Sequence, residues 1–295
     1  RDDIVGITAA MMRPVGLGPM HEAYPGRVID VGIAEAEAVA SAAGMAYQGA
    51  HPVVALYATF LNRGFDQLLM DVALHRAGVT FVLDRAGVTG ADGASHNGVW
   101  DIAMCSIIPG LRLAAPRDEE TLRARLREAL DVDDAPTVIR YRKGALPEPM
   151  PAVRSVGGVD ILFDEAVDGS SARVLIVGTG ACAPDAIEAA RRLSAGGVSV
   201  TVADPQWMIP VCPELATLAR DYDCVVSVED GIVQGGFGWS LRDAVAEAGM
   251  PVRCLGVPQR FPEHGDRSEM IAQFGFDAVG IERAARELAE RVGKR

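Results

Sequence analysis

Short apolar runs recur along this chain, several of them passing into a stretch of helical periodicity, and that alternation limits what it can become. In the N-terminal half the runs are Ile4–Thr8, Arg27–Val31, Pro52–Tyr57, Val79–Asp84, Leu111–Ala115 and Thr137–Tyr141. Helical patterns over Phe60–Arg76 and Asp118–Leu130 lie between some of them. Strands that are apolar on both faces and joined through helices predict a parallel sheet covered on both sides. Prolines 147, 149 and 151 then interrupt the pattern. Beyond them it resumes at Val174–Val177, Val198–Ala203, Cys224–Val228 and Val252–Val257, closing on an amphipathic helix near Ile281–Val292. The fold class is therefore α/β with two domains, each a mostly parallel sheet with helices on both faces. They span residues 1–143 and 159–295, joined by a stiff linker over 144–158. A chain of 295 residues is long enough for two such cores.

The formal net charge of −12 argues against nucleic acid and anionic membrane as partners. Five cysteines with no Cys-x-x-Cys pair support neither a disulfide framework nor a zinc site, and point to a reducing cytoplasm. No apolar run reaches transmembrane length and no signal-peptide pattern leads the chain. Arg1-Asp2-Asp3 runs straight into a strand-like segment without an initiator Met, as expected of a chain whose upstream part was removed or never built.

Chemistry concentrates where strands end. Glu35 follows the run Arg27–Val31 and opens a helical pattern through Ala38, Val39, Ala42, Ala43 and Ala46. Open α/β sheets place ligands at such handovers. A carboxyl group in apolar company is costly to ionise, which suits it to trading a proton with a ligand. The alternative is a solvated acid favoured by the helix dipole. Tyr57, Phe60 and Arg63 follow the next strand, with Thr59 placed to cap a helix. Phe60 and Arg63 share one helix face and can sandwich a flat heterocycle, unless Phe60 is core and Arg63 pairs with Asp66. Asp84–Gly98 is a long Gly-rich loop carrying Arg85, Asp92 and His96, groups that bind anions and move protons, or else a solvated connection. His51 and His75 read as surface or packing residues.

Two segments of the second half invite other readings. Gly178-Thr-Gly180-Ala-Cys-Ala183 after a strand, with Asp204 closing the next, outlines a dinucleotide fingerprint. Glu229–Gly238 before a helix offers backbone amides to an anion, or close packing at a domain contact.

Taken in order, Ile7–Met11, Asp30–Glu35, Tyr57–Gln67, Asp84–Gly98, Ala203–Trp207, Val228–Asp230 and His264-Gly265 resemble the 1-deoxy-D-xylulose-5-phosphate synthases. These are thiamine-diphosphate enzymes of the transketolase group. The most specific element is Asp84-Arg85-Ala86-Gly87 followed by Ala91-Asp92-Gly93-x-x-His96. The resemblance implies that the chain is the pyrimidine-binding domain plus the transketolase C-terminal-like domain of a three-domain architecture. The pyrophosphate-binding domain, with its Gly-Asp-Gly metal motif, has no counterpart here. Diphosphate and Mg²⁺ are then expected on residues upstream of Arg1 or on another chain, with no metal ligand in this one. The implied reaction condenses pyruvate with glyceraldehyde 3-phosphate and releases CO₂, in a homodimer or heteromer.

By the same resemblance Ile33, Glu35, Phe60 and Arg63 contact the cofactor. Glu35, His96 and Asp92 are catalytic, and Tyr57, Arg85 and Lys143 form the substrate phosphate pocket. The chain departs from the family where Ala36-Glu37 replaces Gln-His, where Lys143 replaces an arginine, and where Ala77-Gly78 replaces Leu-Pro. Two alternatives follow from these features: the C-terminal subunit of a split transketolase, and a catalytically idle scaffold of the same fold.

Overall fold

A computed structural model describes residues 1–293. The first sheet is built from β1 (Ile4–Thr8), β2 (Val28–Asp30), β3 (His51–Tyr57), β4 (Thr80–Asp84), β5 (Arg112–Ala114) and β6 (Thr137–Arg140). All six run parallel, as apolar strands joined by helical crossovers require. The second sheet contains β7 (Arg154–Val156), β8 (Val159–Glu165), β9 (Arg173–Gly178) and β10 (Ser199–Asp204). After β11 (Trp207–Ile209) it is completed by β12 (Cys224–Ile232) and β13 (Val252–Val257). The orders are β11-β5-β6-β4-β3-β1-β2 and β13-β12-β9-β10-β8-β7. β7 and β8 are the antiparallel edge of the second sheet.

Three features differ from expectation. The span read as linker holds β7, which pairs with β8 through Arg154↔Ile161 and Val156↔Val159. Its side chains are largely exposed, so it lacks the apolar signature of a buried strand. β11 leaves the second half of the chain and adds antiparallel to β5 at the edge of the first sheet. A three-residue strand recruited by a distant partner leaves no periodic trace in the sequence. The helical pattern Phe60–Arg76 is broken into a 3₁₀ segment Ala58–Gly64, one α-turn Phe65–Gln67 and a π-segment Leu68–Ala73. Interruptions of this kind gather at functional sites.

The two halves share one core. Ile7, Leu56, Phe81 and Leu83 of the first sheet lie in the same buried cluster as Val177 and Ala203 of the second and Phe237 of the helix Phe237–Ala244. Arg117 donates to Asp204 at 2.9 Å and lies 2.9 Å from Asp160 Oδ2, the same oxygen that accepts from Gln206 at 2.7 Å. A buried cation with two carboxylates is stable only when all its donors are used, and here the Arg117 Nε also donates to the Met150 carbonyl.

Candidate active site

The side chains singled out above converge on one edge of the first sheet. β1 and β3 are neighbours, and the connection after β1 runs to β2 on one side while that after β3 runs to β4 on the other; open sheets bind ligands at such a switch point. Glu35 follows β2, Tyr57 ends β3 and Phe60 follows it, Arg85, Asp92 and His96 follow β4, and Lys143 follows β6.

Glu35 is the first residue of the helix Glu35–Ala46 and is 4% exposed. The turn before it is held by Asp30, whose Oδ1 accepts from the Ala10 and Gly32 amides at 2.7 and 3.0 Å. Gly32 takes the left-handed conformation the turn requires (φ +74°). Among the described residues no hydrogen-bond or ion-pair partner reaches the Glu35 carboxyl group, and its oxygens are not among the fully buried unpartnered atoms, so the carboxyl keeps an opening to the surface. Gly64 lets the next segment approach the Glu35 helix closely: a Cβ there would sit 2.8 Å from Val39 Cγ2 and 3.3 Å from the Glu35 carbonyl. Ile33, two residues earlier, is 79% exposed. Glu37 points to solvent, where it accepts from Ser41 at 2.8 Å, so the Ala36-Glu37 departure puts no second acid beside Glu35.

Tyr57 and Phe60 stack at 6.0 Å, and the edge of His96 meets Phe60 at 5.6 Å. Arg63 lies 6.0 Å from the Phe60 ring centre and has no ion pair with Asp66 among the described residues. Phe60 is half-buried, so its ring is not simply core. Thr59 does not cap the following segment. Its hydroxyl donates to the Ser95 carbonyl at 2.9 Å and so tethers the Asp84–Gly98 loop to the end of β3. The expectation of a cap rested on local spacing, and a partner from another loop outcompeted it.

The Asp84–Gly98 loop is ordered by its own polar groups. Gly87 donates to the Gly98 carbonyl at 2.7 Å, and buried Asn97 accepts from the Thr89 amide at 2.8 Å while donating to Gly93 at 2.9 Å. Arg85 is held left-handed (φ +58°) by an Asp84 carboxylate that accepts from its amide at 2.7 Å. This aims the guanidinium over Tyr57, 4.1 Å from the ring centre, and toward Asp92 at 3.3 Å. Lys143 donates to both oxygens of Asp92 at 2.7 and 2.8 Å. The Lys143 hydrogen bond holds the Asp92 carboxyl below the usual carboxylate range, whereas burial pushes Asp84 above it. His96 Nδ1 lies 2.9 Å from the Ser95 hydroxyl.

His51 is fully buried and hydrogen-bonded to Thr80 at 2.8 Å, and His75 is exposed against Tyr47, which makes both packing or surface residues. The dinucleotide outline is also structural. A Cβ on Gly178 would meet Ala186 at 2.6 Å, and Asp204 is committed to Arg117 instead of facing a ribose. The amides at the start of Phe237–Ala244 are taken by the chain's own Glu229, which accepts from Phe237 and Gly238 at 2.8 and 2.9 Å. Sequence reasoning missed Asp230, Arg267 and the buried pair Arg140–Asp101 (2.7 Å) behind the loop. Only the place of Asp230 at the end of the Val228–Asp230 segment hinted at them.

A family model described as "Transketolase, pyrimidine binding domain" matches residues 1–149, and "Transketolase, C-terminal domain" matches residues 166–281. The chain belongs to the transketolase family and carries these two of its domains. Within that class it is 53% identical over its whole length to 1-deoxy-D-xylulose-5-phosphate synthase 2 of Streptomyces avermitilis, covering 46% of that protein. It is also 53% identical to the 1-deoxy-D-xylulose-5-phosphate synthase of Cutibacterium acnes, over 99% of this chain and 46% of the relative. The chain spans about half the length of the curated relatives it matches. Among solved structures, a "split gene transketolase, inactive beta4 tetramer" superposes with a TM-score of 0.84 at 27% identity, over 98% of this chain and 93% of that one. A Pichia stipitis transketolase complexed with sedoheptulose 7-phosphate (TM-score 0.81, 20% identity, 100% and 44% coverage) shares the fold. Among the described residues no acidic, His or Cys cluster could hold a metal, and no helix is long and apolar enough to cross a membrane.

Proposed function

We propose that this chain supplies the pyrimidine-binding half of a thiamine-diphosphate site that condenses pyruvate with glyceraldehyde 3-phosphate to 1-deoxy-D-xylulose 5-phosphate. The observation that carries this reading is Glu35: an acid at the start of the helix after β2, 4% exposed as a residue, whose carboxyl group has no partner among the described residues and is not sealed from the surface. An aminopyrimidine nitrogen is a partner of the right chemistry for an acid that must hold and return a proton. Thiamine diphosphate supplies the carbanion stabilisation that decarboxylation of pyruvate needs. Around it, Phe60 presents a ring face, with Ile33 and Arg63 flanking. His96 and Asp92 hold or move protons, and Tyr57, Arg85 and Lys143 grip the substrate phosphate. Lys143 does so as a point charge instead of a bidentate fork. Diphosphate and Mg²⁺ fall to a pyrophosphate-binding domain, on this polypeptide or another, and the exposed Ile33 surface suits such a covering piece. The cytoplasm is the proposed compartment, in keeping with five free thiols.

Calorimetric titration of thiamine diphosphate with Mg²⁺ into this chain, alone and with a pyrophosphate-binding partner, tests the reading. Binding is feeble alone and strong with the partner, and the assembled enzyme then consumes pyruvate only when glyceraldehyde 3-phosphate is present to trap it productively. A second reading, the C-terminal subunit of a split transketolase, draws on the like-sized split-gene neighbour. Transfer of a two-carbon ketol unit between sugar phosphates without pyruvate decarboxylation would favour it. No cofactor binding in either state would leave an idle scaffold.

A further inference from the structure

Asp230 and Arg267 belong to the second half of the chain, yet they hold both polar groups of one residue in the Asp84–Gly98 loop. The Val88 amide donates to Asp230 Oδ1 at 2.9 Å, and the Val88 carbonyl accepts from Arg267 Nε at 3.0 Å. The two clamping side chains are tied to each other at 2.6 Å through the second guanidinium arm. Asp230 is almost wholly buried, and its own carbonyl accepts from Arg140 at 2.9 Å, which fixes it to the end of β6. The loop is shaped for this approach. A Cβ on Gly87 would overlap the Asp230 carboxyl carbon at 2.2 Å, and one on Gly90 would lie 2.8 Å from the Gly265 carbonyl.

Val88 stands just inside the neck closed by Gly87 and Gly98, between Arg85 and Asp92. Farther out, Ala91, Ala94 and Ser95 are exposed. Besides the Thr59 bond to the Ser95 carbonyl, the clamp at Val88 is the loop's tie to the second half of the chain that fixes both polar groups of one residue. The geometry points to Asp230 and Arg267 as positioning residues that set where Arg85, Asp92 and His96 face. This rests on the reading of the loop as part of the catalytic site and extends that site to the second half of the chain. Small displacements of reacting groups cost large factors in rate, so a clamp of this kind has kinetic weight without touching substrate.

The test combines amide hydrogen exchange on the chain with turnover in the assembled enzyme, for Arg267→Met and for the exchange pair Asp230→Arg/Arg267→Asp. In Arg267→Met, amides within 88–97 exchange about 10- to 100-fold faster while those of the second sheet keep wild-type rates, and turnover falls at least about 10-fold. The charge-exchanged pair restores an ion pair but turns a donor toward the Val88 amide, so loop protection stays lost. Unchanged loop exchange in Arg267→Met overturns the inference, as does a rise spread evenly over both sheets. Recovery of loop protection in the exchanged pair also overturns it, because it would show that the ion pair alone matters. If that pair does not fold, Arg267→Met decides. A wild-type enzyme that shows no pyruvate-dependent reaction removes the synthase reading and leaves the exchange result to judge the clamp.

Discussion

Lys143 places its ammonium within 2.8 Å of both carboxylate oxygens of Asp92, and Arg85 approaches the same carboxylate at 3.3 Å. Two cations proposed to grip a phosphate are thus already neutralised by an anion of the chain itself. Asp92→Asn removes that competitor. Inorganic phosphate, titrated calorimetrically, then binds about 2- to 5-fold more tightly, the gain expected from freeing a partly exposed ion pair. Because the Asp92 carboxyl is held low by Lys143, the pair's stabilisation is fully present above the ordinary carboxylate value near ~4 and is lost only as pH falls through the lower value Asp92 has in the folded chain.

The Glu35 carboxyl has no partner among the described residues, so its loss tests the proton-trading role directly. Glu35→Gln keeps the shape and lowers turnover in the assembled enzyme by about 10²- to 10⁴-fold, with the cofactor dissociation constant changed far less. Wild-type turnover in that variant would take Glu35 out of the reaction.

Gly64 lets the 3₁₀ segment Ala58–Gly64 lie against the first turn of the Glu35 helix. Gly64→Ala drives a methyl into Val39 and toward the Glu35 carbonyl, and costs about 1–3 kcal/mol of stability by overpacking. Thermal unfolding reads the loss, and cofactor binding weakens with it because Phe60 and Arg63 ride on the displaced segment.

Glu229 carries a pH signature. Complete burial pushes its carboxyl up to about 7, against the pull of the Phe237 and Gly238 amides. A carboxyl raised in the folded state contributes stability below its unfolded value near ~4.3 and loses it as pH rises through the folded value. Denaturant midpoints therefore fall between about pH 4 and pH 7 in the wild type, and the slope flattens in Glu229→Gln.

The strands of both sheets were legible in the sequence wherever an apolar run was long enough to be buried on both faces, as in β3, β9 and β12. The candidate residues were legible too, because Glu35, Tyr57 and Arg85 each sit at or within a few residues of the end of such a run, where a parallel sheet exposes its C-terminal ends. Their roles came from resemblance and not from spacing. Thr59 was misjudged because a hydroxyl's nearest sequence neighbour was not its nearest neighbour in space.

What the sequence alone determined is the local layer: alternation of strands and helices, the glycines and polar residues that turn the chain, and a site at one sheet edge. Those properties depend on residues a few positions apart, and their periods can be counted. Only the tertiary structure decided that β11 joins the other sheet, that Arg117 locks Asp160 and Asp204, and that Asp230 and Arg267 reach across to Val88. Such contacts are set by where two folded surfaces meet, and no period along the chain encodes that distance.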